Sequence, residues 1–269
     1  ASDAGGDATV SVAAIGAGGE ISKITLDGPD GVTLSANLTT GDYSDAAVDV
    51  TGPVTLSGAV TIDTAETNND GTITFNSTAT INGAYTLTLN TDTGAVALQG
   101  AIGTGTAITS LDINSSSGTG TIEVANIGTT SSAGVTGATT VGNENTGTLT
   151  LDGTVYTTHA ATYTAATGEN IDLTGGATTT FTSSNDDITF GTATVEMANG
   201  SNLKIDTDTL GGAIDLAGGV MGTSSENITL TAGTGTVAIG AVGTGTEIAD
   251  VSITTTANTT FSGYFTGGS

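Results

Sequence analysis

Residues 71–114 read GTITFNSTATINGAYTLTLNTDTGAVALQGAIGTGTAITSLDIN, and apolar residues recur in this stretch as triplets with a polar or small centre. The segments 73–75 (ITF), 87–89 (LTL) and 111–113 (LDI) are such triplets. A period of two places the outer pair on one side of a strand and the central residue on the other side. Gly, Asn, Asp, Ser and Thr separate the triplets, as they do in turns. The stretch therefore predicts very short β-strands joined by tight turns.

The same triplets continue outward along the chain, from residues 10–12 to residues 251–253, and no segment shows a helical period. Many short strands at this spacing are typical of a β-solenoid, but also of a β-sandwich or of tandem small β-domains. Composition alone leaves disorder open as well, because only 36% of the 269 residues are hydrophobic.

A longer repeat favours the solenoid. Segments 10–26, 96–113 and 237–253 each contain a strand triplet, then Ala-(Ile/Val)-Gly-x-Gly, then a second triplet. Repeats of this kind stack in one dimension, and each one buries its apolar row against the next. We therefore predict an all-β parallel β-solenoid. It forms one domain over residues 1–269, with related blocks around 10–26, 54–113 and 195–253.

Two stretches carry a family resemblance. Residues 71–114 resemble repeats of very large secreted bacterial proteins of the filamentous-haemagglutinin-like and giant adhesin-like types. Residues 163–208, YTAATGENIDLTGGATTTFTSSNDDITFGTATVEMANGSNLKIDTD, resemble a second repeat type of the same proteins, and 228–253 repeats the first. The resemblance implies a right-handed parallel β-helix with a structural or adhesive role at the cell surface, and it implies no catalytic residues.

Charge and composition exclude several classes of protein. The chain has 27 Asp and Glu against 2 Lys and no Arg, giving a net charge of -25, so it cannot offer the basic face that nucleic acid requires. It has no Cys, which excludes disulfides and Cys-based metal sites. No apolar run is long enough to cross a bilayer as a helix, so we expect no membrane insertion.

We expect no enzymatic activity. The single histidine, His159, lies among small polar residues, and the chain has no G-x-S-x-G nucleophile elbow. A polysaccharide-degrading enzyme would need a close pair of acids, usually beside aromatic platforms, but the acids are spread along the chain and there is no Trp.

Calcium is the one cofactor that we consider, although none is required. Its preferred ligands are the oxygens of Asp, Asn and backbone carbonyls, and three turns are rich in them. Ordinary turn chemistry explains the same residues, because no D-x-D-x-D-G loop or nonapeptide calcium repeat is present. The weak calcium candidates are Asp27, Asp30, Asn68, Asp70, Asp186 and Asp187.

These observations predict an extracellular or cell-surface protein. The chain shows no secretion signal, and one could have been removed from it without leaving a trace in the sequence. We expect a segment or subunit of a bacterial fibre, adhesin stalk or coat that binds copies of itself end to end. An alternative is an adhesin module that binds surface glycans through residues 126–145 or through a loop at 156–163 bearing Tyr156 and Tyr163. A further alternative is ice binding by Thr-x-Thr motifs, at residues 86–88, 148–150 and 229–231.

Overall fold

Short strands with alternating burial dominate the computed structural model, which describes residues 8–16, 21–41, 43, 46–65, 71–243 and 248–266. Most strands have the pattern buried–outward–buried that the apolar triplets predict, as in Leu149–Leu151. The described residues contain one 3₁₀ turn, at Ala198–Gly200, and no longer helix.

The strands follow in chain order: β1 (Thr9–Val12), β2 (Lys23–Asp27), β3 (Gly31–Leu34), β4 (Leu38–Thr39), β5 (Ala47–Thr51), β6 (Val54–Leu56), β7 (Val60–Asp63), β8 (Thr72–Phe75), β9 (Ile81–Asn82), β10 (Thr86–Asn90), β11 (Val96–Leu98), β12 (Ser110–Ile113), β13 (Ile122–Val124), β14 (Thr139–Val141), β15 (Leu149–Leu151), β16 (Val155–Thr158), β17 (Ala161–Tyr163), β18 (Asn170–Leu173), β19 (Thr178–Ser183), β20 (Ile188–Thr189), β21 (Thr194–Met197), β22 (Asn202–Asp206), β23 (Ile214–Leu216), β24 (Val220–Gly222), β25 (Asn227–Gly233), β26 (Val237–Ile239), β27 (Asp250–Thr255) and β28 (Thr259–Phe261).

The strands wind into a parallel β-solenoid of about ten turns with three faces. Face A contains the sheets β1-β3-β6-β9 and β16-β19-β22-β25-β27, which are joined by single bridges through Ile102 and Ile127. Face B is the sheet that runs from β4 to β28, and face C is the sheet that runs from β2 to β24. All these strand pairs are parallel, which confirms the predicted fold class and excludes the sandwich and tandem-domain alternatives.

The core consists of inward side chains that stack directly on their equivalents one turn away. One such column on each face runs from the first described turn to the last, and between the end turns its members are at most 4% exposed. Burying each aliphatic side chain contributes about 1.5–3 kcal/mol, which compensates for the small hydrophobic content. The face A column is Val10, Val32, Val54, Ile81, Ile102, Ile127, Tyr156, Phe181, Ile205, Leu230 and Ile253. The face B column is Ile15, Leu38, Ile62, Leu89, Ile113, Val141, Tyr163, Phe190, Leu216, Ile239 and Phe261. The face C column is Ile24, Val48, Ile73, Val96, Ile122, Leu149, Ile171, Val195, Val220, Val242 and Phe265.

The three copies of the sequence repeat each cover one turn, but they start on different faces. The copy at 10–26 runs through faces A, B and C, and the copy at 96–113 runs through faces C, A and B. The copy at 237–253 runs through faces B, C and A. The same sequence therefore folds equally well in all three orientations around the solenoid axis.

The glycine that follows the apolar residue of Ala-(Ile/Val)-Gly has the same conformation in each copy. Gly16, Gly103 and Gly243 have φ of 83°, 68° and 77°, the left-handed region that favours glycine. A Cβ atom at any of them would lie 1.9–2.1 Å from a backbone carbonyl oxygen of the next turn. Glycine is needed at this corner both for its backbone angle and for the close approach of adjacent turns.

Candidate functional site

Four aromatic side chains form a cluster inside the middle of the solenoid. Tyr156 and Phe181 lie in the face A column, whereas Tyr163 and Phe190 lie in the face B column. The ring centroids of Tyr156 and Phe181 are 4.8 Å apart, those of Tyr163 and Phe190 are 5.3 Å apart, and all four side chains are at most 1% exposed. The cluster therefore belongs to the core, where stacked and edge-on aromatic pairs add to the burial energy.

The two tyrosine hydroxyl groups differ in their surroundings. The Tyr156 hydroxyl donates a hydrogen bond to the carbonyl of Val124 (2.8 Å) and accepts one from the N–H of Gly153 (2.9 Å). The Tyr163 hydroxyl is buried and has no hydrogen-bond partner. Burial raises the pKa of both hydroxyls above the usual value for tyrosine.

The predicted glycan-binding loop at 156–163 is therefore wrong. These residues belong largely to β16 and β17, and both tyrosine rings point inward instead of outward. The inward columns continue through this turn, so the rings take positions that aliphatic residues occupy in the neighbouring turns. No ligand can reach Tyr156 or Tyr163 without opening the core.

Most of the other predicted glycan-binding segment, 126–145, is held to the adjacent turns. The Asn126 Oδ1 atom accepts hydrogen bonds from the N–H groups of Thr154 (2.7 Å) and Val155 (3.0 Å). The Asn143 side-chain amide donates to the carbonyl of Asn114 at 2.6 Å. The exposed residues of this segment are 130–132, 136, 138, 144 and 145.

The described calcium candidates do not converge on one site. The Asp30 carboxylate accepts a hydrogen bond from the N–H of Ala8 (2.7 Å), and Asp27 is exposed at the same corner. The Asp186 carboxylate lies 2.9 Å from His159 Nδ1, and Asp187 accepts the N–H of Ala213 at 2.7 Å.

The remaining two calcium candidates, Asn68 and Asp70, lie outside the described residues. Within the described ranges, no three His, Cys, Asp or Glu side chains are grouped so that they could hold a metal ion. Calcium binding therefore stays a prediction.

The outward side chains of face C include one pair of neighbouring acids. Asp172 and Glu196 are directly opposite each other on β18 and β21. Burial is the largest cause that raises the pKa of Asp172, and the negative charges of Glu196 and Glu169 raise it further. One oxygen of Asp172 is buried without a hydrogen-bond partner. Burial and the charge of Glu123 likewise raise the pKa of Asp152. This face therefore holds its negative charges at an energetic cost.

Glu226, which the sequence analysis missed, fixes the corner between β24 and β25. One carboxylate oxygen accepts hydrogen bonds of 2.7–3.1 Å from the N–H groups and hydroxyls of Thr223 and Ser224. Burial opposes ionisation, but these hydrogen bonds outweigh it and hold the pKa of Glu226 below its usual value. The other carboxylate oxygen fills the space that a side chain at position 222 would need, because a Cβ atom added to Gly222 would lie 2.2 Å from this oxygen. The turn sequence T-S-S-E is the signal that could have identified this structural role.

The Thr-x-Thr motifs do not form one surface. Residues 86–88 lie on β10 in face B, residues 148–150 lie at β15 in face C, and residues 229–231 lie on β25 in face A. These three motifs therefore face three directions, and they cannot form the flat ladder that the ice-binding alternative requires.

The two ends of the solenoid expose parts of the apolar columns. At the end of the last turn, Phe261, Tyr264 and Phe265 are 47%, 65% and 49% exposed. Among the described residues, the hydrophobic side chains that pack against the core but remain only partly buried belong to the first and last turns. They are Val10, Ile15, Ile21, Val251 and Ile253.

No helix in the described part of the chain has the length and hydropathy of a membrane-spanning segment. Comparison of the chain with protein-family models, with curated proteins and with solved structures finds no match.

Proposed function

We propose that the chain is a structural rod, a subunit or segment of an extracellular bacterial fibre, adhesin stalk or surface coat. The observation that carries this proposal is the continuity of the three inward columns from the first turn to the last. Parallel strands bonded turn to turn over such a core resist bending and stretching. At about 4.8 Å per turn, about ten turns make a rod roughly 50 Å long.

The outer surface supports the same role. Acidic side chains such as Asp112, Glu123 and Asp215 project outward at the centres of their strands. With a net charge of -25, neighbouring rods repel one another laterally, which opposes aggregation along their sides. The resemblance to filamentous-haemagglutinin-like proteins fits this proposal, because their repeats also form long surface structures.

A glycan-binding module is the second candidate function, and one observation favours it. A shallow groove of about 300 Å³ lies at the corner between faces A and B, near the last turns. Asp208 and a run of threonine residues, including Thr231 and Thr254, line it. A carboxylate beside many hydroxyl groups suits a hydroxyl-rich ligand.

Negative-stain electron microscopy of the purified chain, with calcium and with a chelator, tests the fibre proposal. Straight filaments with an axial repeat near the rod length support it. Loss of the filaments in chelator would identify calcium as a link between the acidic subunits. Separate short rods in both conditions would contradict the fibre subunit, and binding on a glycan array would then favour the second candidate.

A further inference from the structure

The last described turn of the solenoid exposes apolar side chains. The three columns reach Ile253, Phe261 and Phe265 in this turn, and Tyr264 lies beside them. Three aromatic side chains about half exposed leave roughly 300 Å² of apolar surface in contact with water. That is the size of the largest apolar patch on a typical monomer, and such patches usually mark interaction sites.

The first described turn offers a complementary set of apolar side chains. Its columns begin with Val10, Ile15 and Ile24, and the first two of these are only partly buried. Each column therefore has a hydrophobic residue at both open ends, so the last turn of one copy matches the first turn of another. The contact would repeat the turn-to-turn packing already present along the chain.

Strand direction favours a head-to-tail arrangement over a symmetric one. All the described strand pairs are parallel, and β27 and β28 are the outermost strands of their sheets within the described residues. An outermost strand offers backbone groups to a further strand. A first turn from another copy would continue the parallel hydrogen bonding. Two last turns facing each other would bring these strands together antiparallel and would also place like columns against each other.

We infer that the last turn is a binding surface for the first turn of a second copy of this chain, joined head to tail. The inference rests on the proposed fibre function and names the two surfaces that join. Stable interfaces bury about 800 Å² on each partner, and the aromatic residues supply less than half of that. The contact is therefore weak and depends on concentration. Because the copies repel each other at a net charge of -25, salt strengthens it.

Sedimentation velocity across a wide range of protein concentrations tests this inference with the whole chain. Phe265→Asp places a charge on the open end, and we expect association to weaken by about tenfold or more. The control is Leu210→Asp, which adds the same charge at a side chain that is 76% exposed on a corner loop. The control should associate as the unmodified chain does, and equal weakening by both variants would overturn the inference.

Mixing two blocked variants tests the polarity. Val10→Asp blocks the first turn. If circular dichroism shows that this variant does not fold, Ile15→Asp replaces it in the experiment. Each blocked variant alone should stay monomeric, whereas an equal mixture of Val10→Asp and Phe265→Asp should form dimers and nothing longer. Dimers of Val10→Asp alone would show that last turns bind each other, and would overturn the head-to-tail arrangement. Filaments that still form when both substitutions are present would also overturn the head-to-tail contact. The proposed fibre function would then still stand.

Discussion

The corner glycines of the repeated motif show how a single residue controls the distance between turns. At Gly103 the backbone has a φ of 68°, and the place of a Cβ atom is only 2.1 Å from the carbonyl oxygen of Gly134. Adjacent turns of a parallel sheet must stay about 4.8 Å apart, so the corner cannot widen without breaking hydrogen bonds on both sides. The turns can therefore stack at this distance only if the corner residue has no side chain.

We expect Gly103→Ala to destabilise the protein by about 2–4 kcal/mol, through backbone strain and the clash with the next turn. The control is Gly168→Ala, because Gly168 has a φ of 94° but no atom within 4 Å of the Cβ position. It should lose only about 1–2 kcal/mol, from backbone strain alone. Urea unfolding followed by circular dichroism measures both changes, and equal losses would show that the close approach of the turns is unimportant.

At the scale of the strand, outward positions decide which charges become neighbours. Because a parallel ladder places equivalent residues side by side, Asp172 and Glu196 face each other across β18 and β21. Like charges directly opposite each other cost about 0.2–1 kcal/mol. The raised pKa of Asp172 means that its ionised form is disfavoured in the folded chain. Its contribution to stability is therefore present at low pH and is lost as the pH rises through that raised pKa.

We expect Asp172→Asn to raise the free energy of unfolding by about 0.5–1 kcal/mol at neutral pH, because it removes this repulsion. The gain should disappear at a pH low enough to protonate Asp172. Asp215→Asn is the control, since Asp215 has the same central position on β23 between Thr189 and Ala238, which are uncharged. Thermal unfolding at several pH values measures the effect, and a gain for Asp172→Asn that persists in acid would contradict this account.

The apolar triplets were enough to predict the strands and the solenoid, but not the face on which each strand lies. The number of residues per turn varies. The register partners Leu149 and Ile171 are separated by a short turn, whereas the register partners Leu111 and Thr139 are separated by a long one. Register is set by hydrogen bonds between turns, which are not local in the sequence. For this reason Tyr156 and Tyr163 looked like parts of an exposed loop, although 161–163 has the same alternating pattern as the other strands.

At the scale of the whole molecule, each turn contacts mainly the turn before it and the turn after it. Stability is then roughly a sum over turns and over the contacts between neighbouring turns. Removing one complete turn shortens the columns without interrupting them. Removing part of a turn rotates all the later strands relative to the earlier turns, so the columns are interrupted at that one junction although the later turns still pair with one another.

We expect a chain that lacks residues 87–110 to fold into a shorter solenoid, because Leu87 and Leu111 are register partners one turn apart. The matched control lacks residues 87–98 and joins Thr86 to Gln99, which breaks the columns. Thermal unfolding by circular dichroism should show one cooperative β transition for the first variant, and a transition that is split or shifted to lower temperature for the second, because its two blocks of turns no longer stack on each other. A single transition of equal midpoint in both variants would show that continuity of the columns does not determine stability.

The different starting faces of the repeated segment affect how such a rod could grow. When a stretch of sequence is duplicated and its copy begins on a new face, any loop copied with it points in a new direction around the axis. The copies at 10–26, 96–113 and 237–253 already begin in three directions. A longer polymer made in this way would present its copied loops in successive directions around the axis, so that its surface would be similar on every side.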